Sequence, residues 1–189
     1  MKLIVVDMQK GLVVEDLYSY DSFVSNVSKL IDCARKNKVE VIYIQHDDGE
    51  GSGLSEGDEA FEIADAVKPK KNEKVFVKKV RTCFSNKLFE EYLEESNDTE
   101  LMIVGLQTEF CLDATVESAF DRGYKVFLPH GTNSTFDNDY LSGEKTYKFF
   151  NEWIWPGIAE CITMKKAMSL LVNKKWDWFI NLFFAEKLL

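Results

Sequence analysis

Short runs rich in β-branched residues alternate along this chain with longer segments of helical periodicity, and this alternation limits the possible folds more than any other feature. Six runs predict strands: Leu3–Val6, Val39–Gln45, Val75–Val77, Leu101–Gly105, Tyr124–Leu128 and Cys161–Met164. Four segments predict helices: Asp21–Asn37, Asn86–Ser96, Leu112–Arg122 and Ser142–Trp155. Strands that alternate with helices form a parallel sheet covered on both faces. We therefore predict an α/β fold, a three-layer α/β/α sandwich around a mostly parallel, six-stranded sheet.

Ligands of such Rossmann-like sheets bind beside the carboxyl ends of the strands. The side chains of interest are therefore those that follow each predicted strand, which are Asp7, Gln45, His46, Lys78, Gln107–Cys111 and His130. The glycine-rich segment 47–59 follows the second strand, but it is acidic and contains no lysine or arginine. It would repel phosphate, and we predict a solvated loop.

The overall charge limits the partners of this chain. Lysine and arginine total 23 against 32 aspartates and glutamates, a formal net charge of −9. Because this charge repels nucleic-acid phosphates and anionic lipid surfaces, we predict a small-molecule substrate, no nucleic acid and no membrane. The first apolar run stops at Asp7, which makes it too short for a signal-peptide core. We therefore predict a cytoplasmic protein whose four cysteines are free thiols.

Cys111 differs from the other cysteines by its position. It follows a predicted strand and a short loop, and it stands directly before the predicted helix Leu112–Arg122. The partial positive charge at a helix amino terminus lowers the pKa of a thiol, and its N–H groups can hold an oxyanion. The sequence therefore predicts Cys111 as a nucleophile and Cys33, Cys83 and Cys161 as inert side chains.

A nucleophilic thiol needs a base. Asp7 follows the first predicted strand and Lys78 follows the third, so both can meet Cys111 at the carboxyl edge of the sheet. A dyad of Cys111 with His130 is the alternative enzymatic arrangement.

Three motifs stand at these strand ends. They read Val5-Val6-Asp7-Met8-Gln9, Val77-Lys78 followed by Thr82-Cys83-Phe84, and Gly105-Leu106-Gln107-Thr108-Glu109-Phe110-Cys111. Their order, spacing and strand positions resemble those of the isochorismatase-like cysteine hydrolases, over roughly residues 2–171. The amino-acid sequence of the third motif is similar to that of the metal-free, streptothricin-hydrolase-like group.

This resemblance implies a catalytic triad of Asp7, Lys78 and Cys111, with Lys79 as a second candidate for the lysine. It implies a cis peptide bond before Gln107. It also implies an oxyanion hole formed by the backbone N–H groups of Gln107 and Cys111.

The resemblance also has implications for the binding of substrate and metal. Gln45 looks like a substrate-contacting amide of metal-free relatives, and the region that begins at Phe84 contributes to pocket specificity. Metal-binding relatives carry an Asp-x-His motif and further histidines, whereas this chain has two histidines and reads Gln45-His46-Asp47 at that place. We therefore predict neither a metal nor a cofactor.

These observations predict a cysteine hydrolase that cleaves an amide or a related C–N bond of a small molecule through an acyl-enzyme. The alternative is a catalytically silent α/β binding or assembly module of the same fold. We predict a hydrolase domain over residues 1–172 and an aromatic, amphipathic helix or tail over residues 173–189. An aromatic stripe of this kind is unfavourable in water, so we also predict a homo-oligomer.

Overall fold

The computed structural model describes residues 1–172 of the chain. Its central sheet consists of β1 (Lys2–Val6), β2 (Val41–His46), β3 (Lys74–Lys78), β4 (Glu100–Gly105), β5 (Lys125–Pro129) and β6 (Glu160–Ile162). The strands lie in the order β3-β2-β1-β4-β5-β6, and every neighbouring pair is parallel. The predicted α/β sandwich with six strands is confirmed.

Helices form the two outer layers. They are α1 (Tyr20–Lys36), α2 (Lys87–Glu95), α3 (Asp113–Asp121) and α4 (Gly143–Phe149), and residues 164–172 are also helical. One apolar core lies between the sheet, α1 and residues 164–172, and the other lies between the opposite face, α2 and α3. Apolar residues at helical spacing form the buried stripe of α1, and each is at most 1% exposed: Phe23, Val27, Leu30, Ile31 and Ala34. Burial stabilises the fold by about 1.5–3 kcal/mol for each of the four larger side chains.

Two helix ends differ from the predictions. α1 begins at Tyr20, so Asp21 lies in its first turn, and Ser19 occupies the N-cap position in a left-handed conformation with φ 55°. α4 ends at Phe149, and the chain continues as a π turn and a 3-10 turn. Asn151 accounts for the second difference, because its side-chain amide donates to the Tyr147 carbonyl at 2.8 Å and competes with the backbone N–H for that acceptor.

The strand order reverses between β1 and β4, where sheets of this kind open a ligand crevice. Gly105 ends β4 beside Val6 with φ +126°, and a Cβ on Gly105 would lie 2.0 Å from the Val6 carbonyl oxygen. Glycine therefore allows the two strand ends to approach each other closely. As a result, Asp7 and the segment Gln107–Cys111 leave the sheet side by side.

Within residues 1–172, no helix has the length and the apolar character that crossing a membrane requires. The predicted aromatic tail, residues 173–189, lies outside the described residues. The domain boundary at residue 172 and the homo-oligomer stay predictions.

Candidate active site

Asp7 lies at the carboxyl end of β1. It is 1% exposed, and its φ of 52° is uncommon for a residue with a side chain. Its backbone N–H donates to the Ile44 carbonyl at 2.9 Å, and its Oδ2 accepts a hydrogen bond from Lys78 Nζ at 2.8 Å. Within residues 1–172, Oδ1 is buried and accepts no hydrogen bond from a nitrogen or oxygen atom. One carboxylate oxygen is therefore held by a cation, and the other can take a proton.

Lys78 ends β3, and its side chain is fully buried. Its Nζ contacts Asp7 on one side and His46 Nδ1, at 2.9 Å, on the other. Lys79 was the second candidate for this place, but its side chain is 75% exposed and its Nζ lies 3.6 Å from Asp47 Oδ2. The structure brings Lys78, and not Lys79, to Asp7.

Cys111 reaches the same place from β4. The peptide bond before Gln107 is cis, as the resemblance implies, and the chain then forms a π turn over Thr108–Leu112 that leads into α3. The Cys111 thiol is half-buried, its sulfur lies within 4.8 Å of an Asp7 carboxylate oxygen, and the charges of Asp7 and Lys78 both act on it. All four cysteines of the chain are free, as predicted. The three predicted triad side chains therefore meet, although they come from three different strands.

The charges around Cys111 decide its protonation. Burial and the Asp7 carboxylate raise the pKa of Cys111 to about 12, and the Lys78 ammonium offsets this only in part. The prediction of a lowered pKa is wrong, because burial and a full negative charge outweigh the partial positive charge of a helix end. Burial likewise raises the pKa of Asp7, against the opposing effect of Lys78. The resting site therefore combines an ion pair with a neutral thiol.

The segment before Cys111 carries the predicted oxyanion donors. Within residues 1–172 the Gln107 N–H has no hydrogen-bond partner. The next residue is anchored, because the Thr108 N–H donates to the Ser134 carbonyl at 3.0 Å and its Oγ1 donates to Asn133 Oδ1 at 2.8 Å. This anchoring on the segment after β5 holds the neighbouring N–H group in place, as preorganised stabilisation of an oxyanion requires.

One member of this cluster is not among the predicted site residues. His46 ends β2, and its Nε2 contacts Asp48 Oδ1 at 2.8 Å while its Nδ1 contacts Lys78. A ring nitrogen of His46, a carboxylate oxygen of Asp7 and the Cys111 sulfur all lie within 4.8 Å of one another. The position of His46 after a predicted strand is the available signal, but no motif distinguishes it from a surface histidine.

Carboxylate, imidazole and thiol groups this close to one another are potential ligands for a transition metal. However, the Lys78 ammonium contacts Asp7 at 2.8 Å and His46 at 2.9 Å, and its charge would repel a divalent cation from the same space. This set of side chains fits a lysine-centred site better than a metal centre. The absence of a metal and of a cofactor stays a prediction.

The two predicted substrate-binding residues have packing contacts. Gln45 is 9% exposed, and its Nε2 donates to the Phe61 carbonyl at 2.7 Å. Phe84 is 4% exposed, and its ring packs against those of Phe89 and Tyr124. Each side chain thus has most of its surface covered by protein, and its role in substrate binding stays a prediction.

The remaining candidates lie elsewhere or have more contacts than predicted. His130 is exposed, and its backbone N–H donates to the Ile162 carbonyl at 2.8 Å. The histidine beside the thiol is therefore His46, and not the one of the alternative dyad.

The acidic loop after β2 is not simply solvated, because Asp47 is 9% exposed and Asp48 contacts the His46 ring.

Comparisons with known proteins identify the family of this chain. The family model described as Isochorismatase domain matches residues 2–144, a range that includes Asp7, Lys78 and Cys111. The isochorismatase family protein YrdC of Bacillus subtilis is 30% identical over 137 residues, which cover 71% of this chain and 73% of that protein. A streptothricin hydrolase of Streptomyces noursei is 29% identical over 137 residues, which cover 71% of this chain and 54% of that relative. This chain therefore spans about half the length of that hydrolase.

Among solved structures, the fold is similar to that of a cysteine hydrolase from Pseudomonas syringae pv. phaseolicola. The TM-score is 0.82 at 23% identity, and the match covers 90% of this chain and 91% of the other. At this level of identity the likeness shows the shared fold.

Proposed function

The chain belongs to the isochorismatase family of hydrolases, and from this premise we propose that it is a cysteine hydrolase that cleaves an amide or related C–N bond of a small molecule. The observation that carries the proposal is the junction of Asp7, Lys78 and Cys111 at the carboxyl edge of the sheet. A nucleophile, a base in contact with it and a group that orients the base are the arrangement that covalent catalysis requires.

In the first step, the Cys111 sulfur attacks the substrate carbonyl carbon while the thiol proton passes to Asp7 Oδ1. A thiol with a pKa of about 12 is almost entirely protonated at neutral pH, so the attack depends on this base. Lys78 holds Asp7 Oδ2 at 2.8 Å and leaves Oδ1 for the proton. The N–H groups of Gln107 and Cys111 stabilise the negative charge that develops on the substrate oxygen.

In the second step, the tetrahedral intermediate collapses and the C–N bond breaks. Asp7 gives its proton to the departing nitrogen, and the acyl group remains as a thioester on Cys111. Water then attacks the thioester, Asp7 accepts a proton from that water, and the sulfur leaves. The carboxylic acid is released, and the proton on Asp7 restores the thiol.

A trapped acyl-enzyme is the direct test. The protein is incubated with a panel of small amides, lactams and N-carbamoyl compounds and quenched with acid. We expect intact-mass spectrometry to detect the added acyl mass, and peptide mass spectrometry after digestion to place it on Cys111. Release of the amine or of ammonia should accompany it for the open-chain compounds, whereas a lactam keeps its amine on the acyl group. Cys111→Ala should show neither signal, whereas Cys161→Ala, which removes another partly buried thiol on β6, should retain both.

Turnover by Cys111→Ala would overturn this mechanism. If no compound of the panel produces an adduct or a product with the wild-type protein, the result favours the silent binding module.

A further inference from the structure

Among the described residues, the Lys78 ammonium has two hydrogen-bond partners and a thiol close to them. An ammonium group carries three N–H donors and no acceptor. Asp7 Oδ2 takes one donor at 2.8 Å and His46 Nδ1 takes another at 2.9 Å, while the Cys111 sulfur lies within 4.8 Å of both of these side chains. Since Lys78 is 1% exposed, water cannot easily replace either partner. His46 Nδ1 must therefore act as an acceptor, which requires an unprotonated nitrogen.

The second nitrogen of His46 has the opposite role. Its Nε2 lies 2.8 Å from Asp48 Oδ1, and an ionised carboxylate only accepts hydrogen bonds. Nε2 therefore carries the ring hydrogen, and the Nδ1 lone pair faces Lys78. Asp48 thus selects the tautomer of His46 that can receive an N–H of the buried ammonium.

The backbone of His46 is held on the sheet. It pairs in register with Lys78 of β3, and β2 lies between β3 and β1. The fully buried side chain of Gln9 clamps it from the other side: Gln9 Oε1 accepts from the His46 N–H at 2.7 Å, and Gln9 Nε2 donates to the His46 carbonyl at 2.9 Å. The imidazole is therefore placed by rigid elements.

We propose that His46 is a positioning residue for the hydrolysis, which holds one N–H of Lys78 so that the ammonium stays bonded to Asp7 and close to Cys111. This inference rests on the proposed function and extends its triad by a second chain of contacts, from Asp48 through His46 to Lys78. Without the imidazole, a buried N–H would lose its acceptor and the ammonium would turn away from the geometry that stabilises negative charge on the sulfur.

The test compares two substitutions of His46 by the rate at which iodoacetamide alkylates Cys111 at pH 8, measured by peptide mass spectrometry. His46→Leu removes both nitrogens, and we expect alkylation about tenfold slower, because a buried N–H of Lys78 loses its acceptor. His46→Asn keeps an acceptor oxygen near the place of Nδ1 and should recover most of the rate. The other histidine of the chain provides the matched control: His130→Leu, at an exposed position, should leave the rate unchanged.

Equal or faster alkylation in a folded His46→Leu protein would overturn the proposal, and so would a folded His46→Asn protein that is as slow as His46→Leu. If His46→Leu does not fold, Asp48→Ala decides, because it removes the tautomer-selecting carboxylate from a loop residue whose side chain is 54% exposed. It should slow alkylation in the same direction, and an unchanged rate would count against the proposal. With a substrate in hand, His46→Leu should lower kcat and leave KM unchanged. Failure of the proposed function would show differently, as a wild-type protein that forms no acyl adduct.

Discussion

Replacing Asp7 by asparagine is expected to lower turnover by about 10²–10⁴-fold while making the Cys111 thiol more reactive towards iodoacetamide. Turnover falls because an asparagine cannot accept the proton of the attacking thiol. Alkylation rises because the Asp7 charge is one of the two main causes of the raised pKa of Cys111, whereas Lys78, which lowers that pKa, remains in place. A change that slows catalysis and speeds chemical modification separates the role of a base from that of a packing residue.

The measurement is the alkylation rate of Cys111 from pH 7 to pH 9 in the wild-type protein and in Asp7→Asn. Below a pKa of about 12, the thiolate fraction rises about tenfold per pH unit, so the wild-type rate should climb through this range without a plateau. In Asp7→Asn, the alkylation rate of Cys111 should reach the same values at a lower pH, because the pKa of the thiol is lower. Asp139→Asn, the same change at an exposed aspartate, should match the wild type.

Cys83 serves as an internal control in this experiment. It is fully buried, and burial raises its pKa to about 12, so it should remain unlabelled as long as the protein is folded. A wild-type Cys111 rate that already reaches a plateau near pH 7 would contradict the neutral resting thiol. It would mean that the helix end controls the thiol after all.

Replacing Lys78 by methionine is expected to lower the free energy of unfolding by about 3–5 kcal/mol, because it leaves a buried carboxylate without its cation. The two side chains are 0% and 2% exposed, so water cannot take the place of the ammonium. The measurement is urea unfolding at pH 7. Lys79→Met, at the neighbouring lysine with a 75% exposed side chain, should change stability by no more than about 0.5 kcal/mol.

The pH dependence of the Lys78→Met variant identifies the unpaired group. The pKa of Asp7 is already raised by burial, and loss of Lys78 removes a group that lowers it. A folded-state pKa above the unfolded value contributes stability at low pH, which is lost as the pH rises through the folded-state pKa. At pH 7, Lys78→Met should have a lower free energy of unfolding than the double variant Asp7→Leu/Lys78→Met. This difference should therefore become smaller as the pH falls from 7 towards the range in which an ordinary aspartate titrates. A deficit that does not change with pH would show that Asp7 is not the cause.

Much of the fold could be predicted from residues that are close to one another in the sequence. The stripe of α1 follows from apolar residues at helical spacing, and all five of its members are buried. The stop of α3 follows from Gly123, whose φ is +81° and whose N–H donates to the Phe120 carbonyl. The early end of α4 could not be predicted in this way, because Asn151 also hydrogen-bonds Asn133 on a different segment.

Some residues of the site could also be predicted from local sequence, and others could not. Asp7, Lys78 and Cys111 could be proposed from motifs at strand ends, and they meet in the structure. Phe84, in contrast, is packed against the aromatic rings of other elements, which its own segment does not reveal. His46 could be named only as one of several strand-end side chains, since its contact with Lys78 depends on the pairing of β2 with β3.

The sequence by itself determined that these groups share one edge of the molecule, because all strands of a parallel sheet end on the same side. Only the tertiary structure decided which of them touch and which are charged. The order β3-β2-β1-β4 places the strand that ends at His46 between the strands that end at Lys78 and Val6, and no local pattern encodes that order. The pKa of Cys111 is likewise a tertiary property, because the burial and the contacting charges that shift it come from residues far away in the chain.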